Sequence, residues 1–163
     1  MIKAVFFDVD GTLVSFRQKY LSDRLLEDLA ALRERGIKLF VCSGRAVQDL
    51  EGTGMLRSAR FDGYVTLNGQ FCRDEDGSVY RERPIDREDA RGAYQLLMDH
   101  PDIPAVMEGS GESYLTQIND RVREVYKFLH TEPYPVRSPE WLLEGKVYQF
   151  GPFVPAGEEK LFL

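Results

Sequence analysis

Apolar positions along this chain alternate between strand-like runs and helix-like stripes. Ala4-Val5-Phe6-Phe7 is short, partly aromatic and closed by a glycine turn at Gly11, which predicts a buried strand. Leu25, Leu26, Leu29 and Leu32 recur at helical spacing, with Ser22 or Asp23 placed to cap the start and Gly36 to end it. A second apolar run, Ile37 to Cys42, stops at Ser43-Gly44-Arg45. Ala46, Val47 and Leu50 then predict a short helix broken by Gly52 and Gly54. Tyr64-Val65-Thr66-Leu67 is a third strand, ending at Asn68-Gly69. Strand, helix, strand, helix, strand with short loops is the pattern of a parallel, doubly wound α/β sheet.

The pattern changes further along. Asp74-Glu75-Asp76-Gly77 is a turn between Gln70-Phe71-Cys72 and Val79-Tyr80, predicting a hairpin, and a domain boundary is placed near Pro84. Past it, Ala90, Ala93, Tyr94, Leu97 and Met98 mark an amphipathic helix. Ala105-Val106-Met107 and Tyr114-Leu115-Thr116 flank Gly109-Ser110-Gly111 as a second hairpin. Val122, Val125, Tyr126 and Leu129 mark another helix, and Lys146 to Phe150 a last strand. Residues 1–83 therefore read as a parallel α/β unit and 84–163 as a smaller α+β unit.

Composition narrows the function. The 163 residues are 43% hydrophobic, which supports packed cores rather than disorder. A net charge of −6 leaves no basic footprint, so nucleic acid is not expected as a partner. An anionic substrate is still possible on an acidic protein, through a local metal and an arginine. Cys42 and Cys72 form no C-x-x-C pair, which suggests a reduced, cytoplasmic protein. Asp8 interrupts the first apolar run too early for a signal peptide, and no stretch reaches the ~20 apolar residues of a membrane span.

The chemistry gathers where strands end, the place where open α/β sheets bind ligands. Asp8 and Asp10 follow the first strand, one residue apart. A carboxylate can attack phosphorus to form an aspartyl phosphate, and a second can protonate the leaving alkoxide and later activate water. Mg²⁺, an oxygen-seeking ion that bridges carboxylate to phosphate, would let the two anions approach, with Asp8 and Asp10 as its ligands. Gly11 permits the tight turn and Thr12 can hold it by hydrogen bonding. A calcium loop is excluded, because the sixth and twelfth positions from Asp8 are Leu13 and Lys19. Ser43 and Gly44 offer a hydroxyl and backbone N–H groups suited to a phosphate oxygen. Arg45 either reaches that phosphate or faces solvent, and Asn68 lies at the same sheet edge as a substrate contact or an ordinary turn residue. His100 and His130 are expected near helix ends, and Tyr126, Phe128 and Trp141 in the core or facing a partner.

Phe6-Phe7-Asp8-Val9-Asp10-Gly11-Thr12-Leu13 resembles the first motif of the haloacid dehalogenase (HAD) superfamily, and Val41-Cys42-Ser43-Gly44-Arg45 its second. Leu67-Asn68-Gly69-Gln70, followed by a change of fold style, resembles the Cof-type sugar-phosphate phosphatases. The resemblance implies a Rossmann-like core with an α/β cap from residue 84. It also implies Mg²⁺-dependent hydrolysis of a phosphorylated small molecule. The family's third motif, a lysine, and its fourth, an acidic pair, have no counterpart: Lys127, Lys146 and Lys160 precede no strand ending in paired aspartates. The chain thus reads as ending inside the cap. Expected consequences are weak Mg²⁺ binding and little or no activity, or a non-catalytic phosphate- or protein-binding role. A third expectation is an assembly in which another polypeptide supplies the missing groups. The edge of strand 4–7 is expected to be exposed and covered by a homodimer or another association.

Overall fold

The computed structural model describes residues 2–158 and 160. The chain forms two compact units, Met1–Arg83 and Pro84–Leu163. Among the described residues no helix is long and apolar enough to cross a membrane.

The first unit is built on a five-stranded sheet in the order β1-β2-β3-β4-β5. The strands are β1 (Ala4–Phe7), β2 (Lys38–Cys42), β3 (Gly63–Thr66), β4 (Phe71–Asp74) and β5 (Val79–Glu82). β1, β2 and β3 are parallel, with Phe7 beside Val41 and Cys42 beside Val65. β4 and β5 form the hairpin that the Asp74–Gly77 turn predicts, so the sheet is mixed. The element order carries helix α1 (Asp23–Glu34) between β1 and β2, and α2 (Val47–Gly52) between β2 and β3. Leu29 of α1 and Leu50 of α2 pack in one cluster with Leu39 and Val41, so both helices cover the same sheet face.

Local signals explain α1. The Ser22 hydroxyl accepts the Leu25 N–H at 3.2 Å, an N-cap. At the other end Gly36 takes φ +74°, its N–H reaches the Arg33 carbonyl, and the Ile37 N–H reaches that of Leu32. These paired bonds form a Schellman motif, which needs a left-handed residue that glycine adopts without steric cost.

Asp62 ties the start of β2 to the end of α1. Its carboxylate accepts from Lys38 Nζ at 2.6 Å, the Leu39 N–H at 2.9 Å and Arg33 at 3.1 Å. Burial pushes its pKa up, but the Lys38 and Leu39 hydrogen bonds and the Arg33 and Lys38 charges outweigh this and hold it below the ordinary 3.8. A carboxylate whose folded pKa is depressed stabilises the fold above its unfolded pKa, and that stabilisation is lost as pH falls through the folded value. Urea midpoints should therefore decline as pH drops below about 4 in wild type. In Asp62→Asn the fold should be weaker by about 1–3 kcal/mol at neutral pH, with this part of the decline gone. An unchanged acid limb in the variant would show that Asp62 is not its source.

The second unit has a three-stranded antiparallel sheet in the order β7-β6-β8. The strands are β6 (Ala105–Glu108), β7 (Ser113–Leu115) and β8 (Gln149–Pro152). Helices α3 (Arg87–Asp99), α4 (Asp120–Phe128) and α5 (Trp141–Glu144) complete it. Ala105 and Met107 pack with Leu97, Trp141 and Leu142, while Leu115 packs with Val122 and Tyr126, so the thin sheet has a core on each face. Asp86 caps α3 and Asn119 caps α4. Trp141 and Tyr126 are buried, whereas Phe128 is 65% exposed.

Candidate functional site

The Asp8–Val14 loop is held from below. Val9, Leu13 and Val14 are buried in the core of the first unit, while Asp8, Gly11 and Thr12 are exposed. The turn closes on its own backbone: the Gly11 N–H donates to the Val14 carbonyl, the Val14 N–H to that of Val9, and the Leu13 N–H to that of Asp8. Gly11 sits at φ +83°, and a Cβ there would lie 2.8 Å from the Phe16 ring. The positive φ is what calls for glycine here, since the exposed Phe16 ring could swing aside from a Cβ. Thr12 Oγ1 donates to Asp8 Oδ2 at 3.1 Å, which fixes the Asp8 carboxylate on the loop.

Arg45 grips Asp10. Its Nε and one terminal nitrogen donate to the two carboxylate oxygens, each at 2.8 Å, in the bidentate fork that guanidinium geometry favours. The Arg45 side chain is only 13% exposed. This contact was not legible in the sequence, where a phosphate and solvent were the two readings. No local signal announces a pair 35 residues apart; what creates it is that β1 and β2 are parallel and end side by side.

Ser43 is buried, and its hydroxyl accepts the Arg45 N–H at 3.1 Å. The helix after it begins only at Val47, with Ala46 as a cap residue that makes no side-chain bond. The β3 end is stitched to this loop. The Leu67 N–H donates to the Arg45 carbonyl, and the Asn68 N–H to that of Ser43. Leu67, Asn68 and Gly69 form a 3₁₀ turn in which all three φ angles are positive, at 50°, 54° and 84°. For the fully buried Leu67 this is a strained conformation, costing about 1–2 kcal/mol, held by packing and by the bond to Arg45. The turn sets Asn68 against Gly44: a Cβ on Gly44 would come within 3.2 Å of the amide oxygen.

Asp8, Asp10, Gly11, Thr12, Ser43, Gly44, Arg45 and Asn68 thus occupy three loops at the carboxyl ends of β1, β2 and β3. Direct contacts link Thr12 to Asp8, Arg45 to Asp10, and Arg45 to Ser43. Among the described residues no group of three or more His, Cys, Asp or Glu side chains could hold a metal. Side-chain oxygens at this edge come from Asp8, Asp10, Thr12, Ser43 and Asn68, and Arg45 takes up both oxygens of Asp10. That set suits a hard cation that keeps most of its waters and takes one carboxylate plus a phosphate, and it provides no closed cage.

The profile of the haloacid dehalogenase-like hydrolase family matches residues 5–152. A Streptococcus pyogenes protein provisionally named a bifunctional phosphatase/peptidyl-prolyl cis-trans isomerase is 32% identical over 128 residues, 74% of this chain and 25% of that one. A phosphatase of the HAD superfamily from Bacteroides thetaiotaomicron superposes with a TM-score of 0.81 at 27% identity, covering 98% of this chain and 59% of its own. A HAD subclass IIB sugar phosphatase gives 0.76 at 30% identity, over 97% of this chain and 61% of its own. The chain therefore spans about three fifths of these solved structures and a quarter of the curated relative.

Proposed function

The chain belongs to the haloacid dehalogenase-like hydrolase family, and from that premise we propose that it carries the nucleophile and acid/base part of a Cof-type phosphomonoester hydrolase site. The observation that carries the reading is the pairing of the two aspartates with different partners: Thr12 on Asp8, and the Arg45 fork on Asp10. Two carboxylates held separately on one loop can take separate roles. The likeness to a HAD subclass IIB sugar phosphatase supports a sugar phosphate or similar phosphorylated small molecule as the substrate class.

In this reading Asp8 Oδ attacks phosphorus and the ester P–O bond breaks. Asp10 enters this step as the protonated acid, with one oxygen released from the Arg45 fork, and that oxygen delivers its proton to the departing alkoxide while the other still accepts from Arg45. In the second half Asp10 takes a proton from water, the water oxygen bonds to phosphorus, and the bond to Asp8 breaks to release phosphate. Ser43, Gly44 and Asn68 line the edge where the phosphate would rest. Asp8 and the Asp10 main-chain carbonyl would hold Mg²⁺. When bound, that ion supplies charge neutralisation between carboxylate and phosphate. With so few protein ligands its hold is weak, and turnover by the 163-residue chain alone is slow.

Phosphate release from a generic aryl phosphate with Mg²⁺ tests this. Slow, Mg²⁺-dependent release is expected, falling to the buffer background in Asp8→Asn. Release that persists in Asp8→Asn would exclude Asp8 as the nucleophile. Saturable phosphate binding without turnover in either protein would favour the non-catalytic binding role.

A further inference from the structure

Phe16 is a large apolar side chain left 56% exposed, and it sits beside the candidate site. A Cβ built on Gly11 would lie 2.8, 3.3 and 3.7 Å from three neighbouring atoms of its ring, so the ring lies over the residue that follows Asp10. Gly11 and Thr12 are themselves exposed, so solvent reaches the loop beneath the ring. The backbone that presents Phe16 is held on both sides. Ser15 accepts the Gln18 N–H at its carbonyl and the Arg17 N–H at its hydroxyl, which closes a turn around Phe16. Leu21 is buried; its N–H donates to the Met55 carbonyl, and its own carbonyl accepts from Arg57 at 3.1 Å.

We propose that Phe16 determines specificity on the leaving-group side of the site, its ring taking the carbon face of a phosphorylated sugar whose phosphate rests at Asp8, Ser43 and Gly44. This rests on the reading in which Asp8 attacks phosphorus and Asp10 protonates the departing alkoxide. That assignment fixes the direction. The ester oxygen must reach Asp10, so the carbon it carries begins on the Asp10 side of the phosphate. Gly11 and then Phe16 follow Asp10 on the same loop. Gly11 has no side chain to fill the space under the ring, so a ligand can approach both. A sugar carries C–H groups on a face of its ring and hydroxyls at its rim. That face can lie on an aromatic ring while the hydroxyls keep their water. A bare phosphate has no such face and gains nothing from Phe16. The loop thereby divides two tasks: its aspartates handle the phosphate that every monoester shares, and Phe16 sorts the esters by what they carry.

NMR titration of the full 163-residue chain with Mg²⁺, read at the Gly11 amide, tests this by binding alone. Asp8→Asn is the background, to stop turnover, and glucose 6-phosphate and inorganic phosphate are the two probes. Glucose 6-phosphate should bind about 5-fold more tightly than phosphate, the gain from ~40 Å² of apolar face removed from water. Adding Phe16→Ala should abolish that ratio and leave the phosphate affinity as it was. Adding Phe16→Tyr, which keeps the aromatic face, should retain it. A ratio that survives Phe16→Ala overturns the proposal. So does an equal weakening of both probes, which would make Phe16 a support for the Gly11 turn. A Phe16 chain that binds glucose 6-phosphate no better than phosphate, or binds neither, overturns it as well. The catalytic reading fails on a different signal, phosphate release that persists in Asp8→Asn.

Discussion

Trp141→Ala should destabilise the second unit by about 3–5 kcal/mol, read from urea unfolding followed by far-UV circular dichroism. Trp141 is the chain's single tryptophan, so fluorescence would lose its own reporter in the variant. Its side chain is 3% exposed and packs with Leu97, Ala105, Met107, Leu142 and Val147. Tyr114 meets it edge to face at 4.9 Å, and the Arg137 guanidinium lies 5.9 Å from its ring. Two glycines make room for it. A Cβ at Gly145 would sit 2.5 Å from the indole, and one at Gly109 3.1 Å from it and 2.4 Å from the Glu112 carbonyl. Truncation leaves a cavity between α3, α5 and β6 that rigid neighbours cannot fill. A unit of this size holds only several kcal/mol of stability, so the variant should be close to unfolding. Gly145→Ala probes the same pocket from the other side, and crowding should cost about 1–3 kcal/mol. A loss below about 1 kcal/mol for Trp141→Ala would mean that the indole does not organise this core.

The second large effect is expected at Asp10 and Arg45. A double-mutant cycle with Asp10→Ala and Arg45→Ala should give a coupling energy of about 1–3 kcal/mol, above the roughly 0–1 of an exposed ion pair. The reason is burial on the Arg45 side together with two hydrogen bonds of 2.8 Å. Arg45→Lys should recover only part of the loss, because an ammonium cannot reproduce two parallel N–H bonds to one carboxylate. Coupling below about 0.5 kcal/mol would mean that the fork is an incidental surface pair. If the functional reading holds, Arg45→Ala should also lower phosphate release with Asp8 intact, since Asp10 loses the group that orients it.

Much of the fold was legible in the sequence. Four-residue apolar runs stopping at glycine turns locate β1 and β3, and Ser22 and Gly36 frame α1 because capping is a bond between near neighbours. Asp74–Gly77 and Gly109–Gly111 mark their hairpins for the same reason. The last strand was less legible: Lys146 to Phe150 was expected, and Gln149–Pro152 is observed. Val147 and Tyr148 are instead buried ahead of it, and among the described residues β8 pairs only with β6, so its Pro152 sits at a sheet edge where a missing N–H costs little. α5 was not expected either, since one turn of helix after Pro139 shows no periodicity, and Trp141 packing stabilises it.

The sequence by itself determined where the candidate site residues lie: Asp8 and Asp10 one residue apart on a glycine turn, and a serine, an arginine and an asparagine at later strand ends. Those are local features, set by residue type and spacing over a few positions. Only the tertiary structure decided who holds whom. Arg45 lies on Asp10, Asp62 gathers Arg33, Lys38 and Leu39, and Leu67 is forced into a left-handed turn against the β2 loop. Each of these joins groups from different strands or helices, and their energies come from burial and charge pairing that exist only once parallel strands bring distant residues side by side.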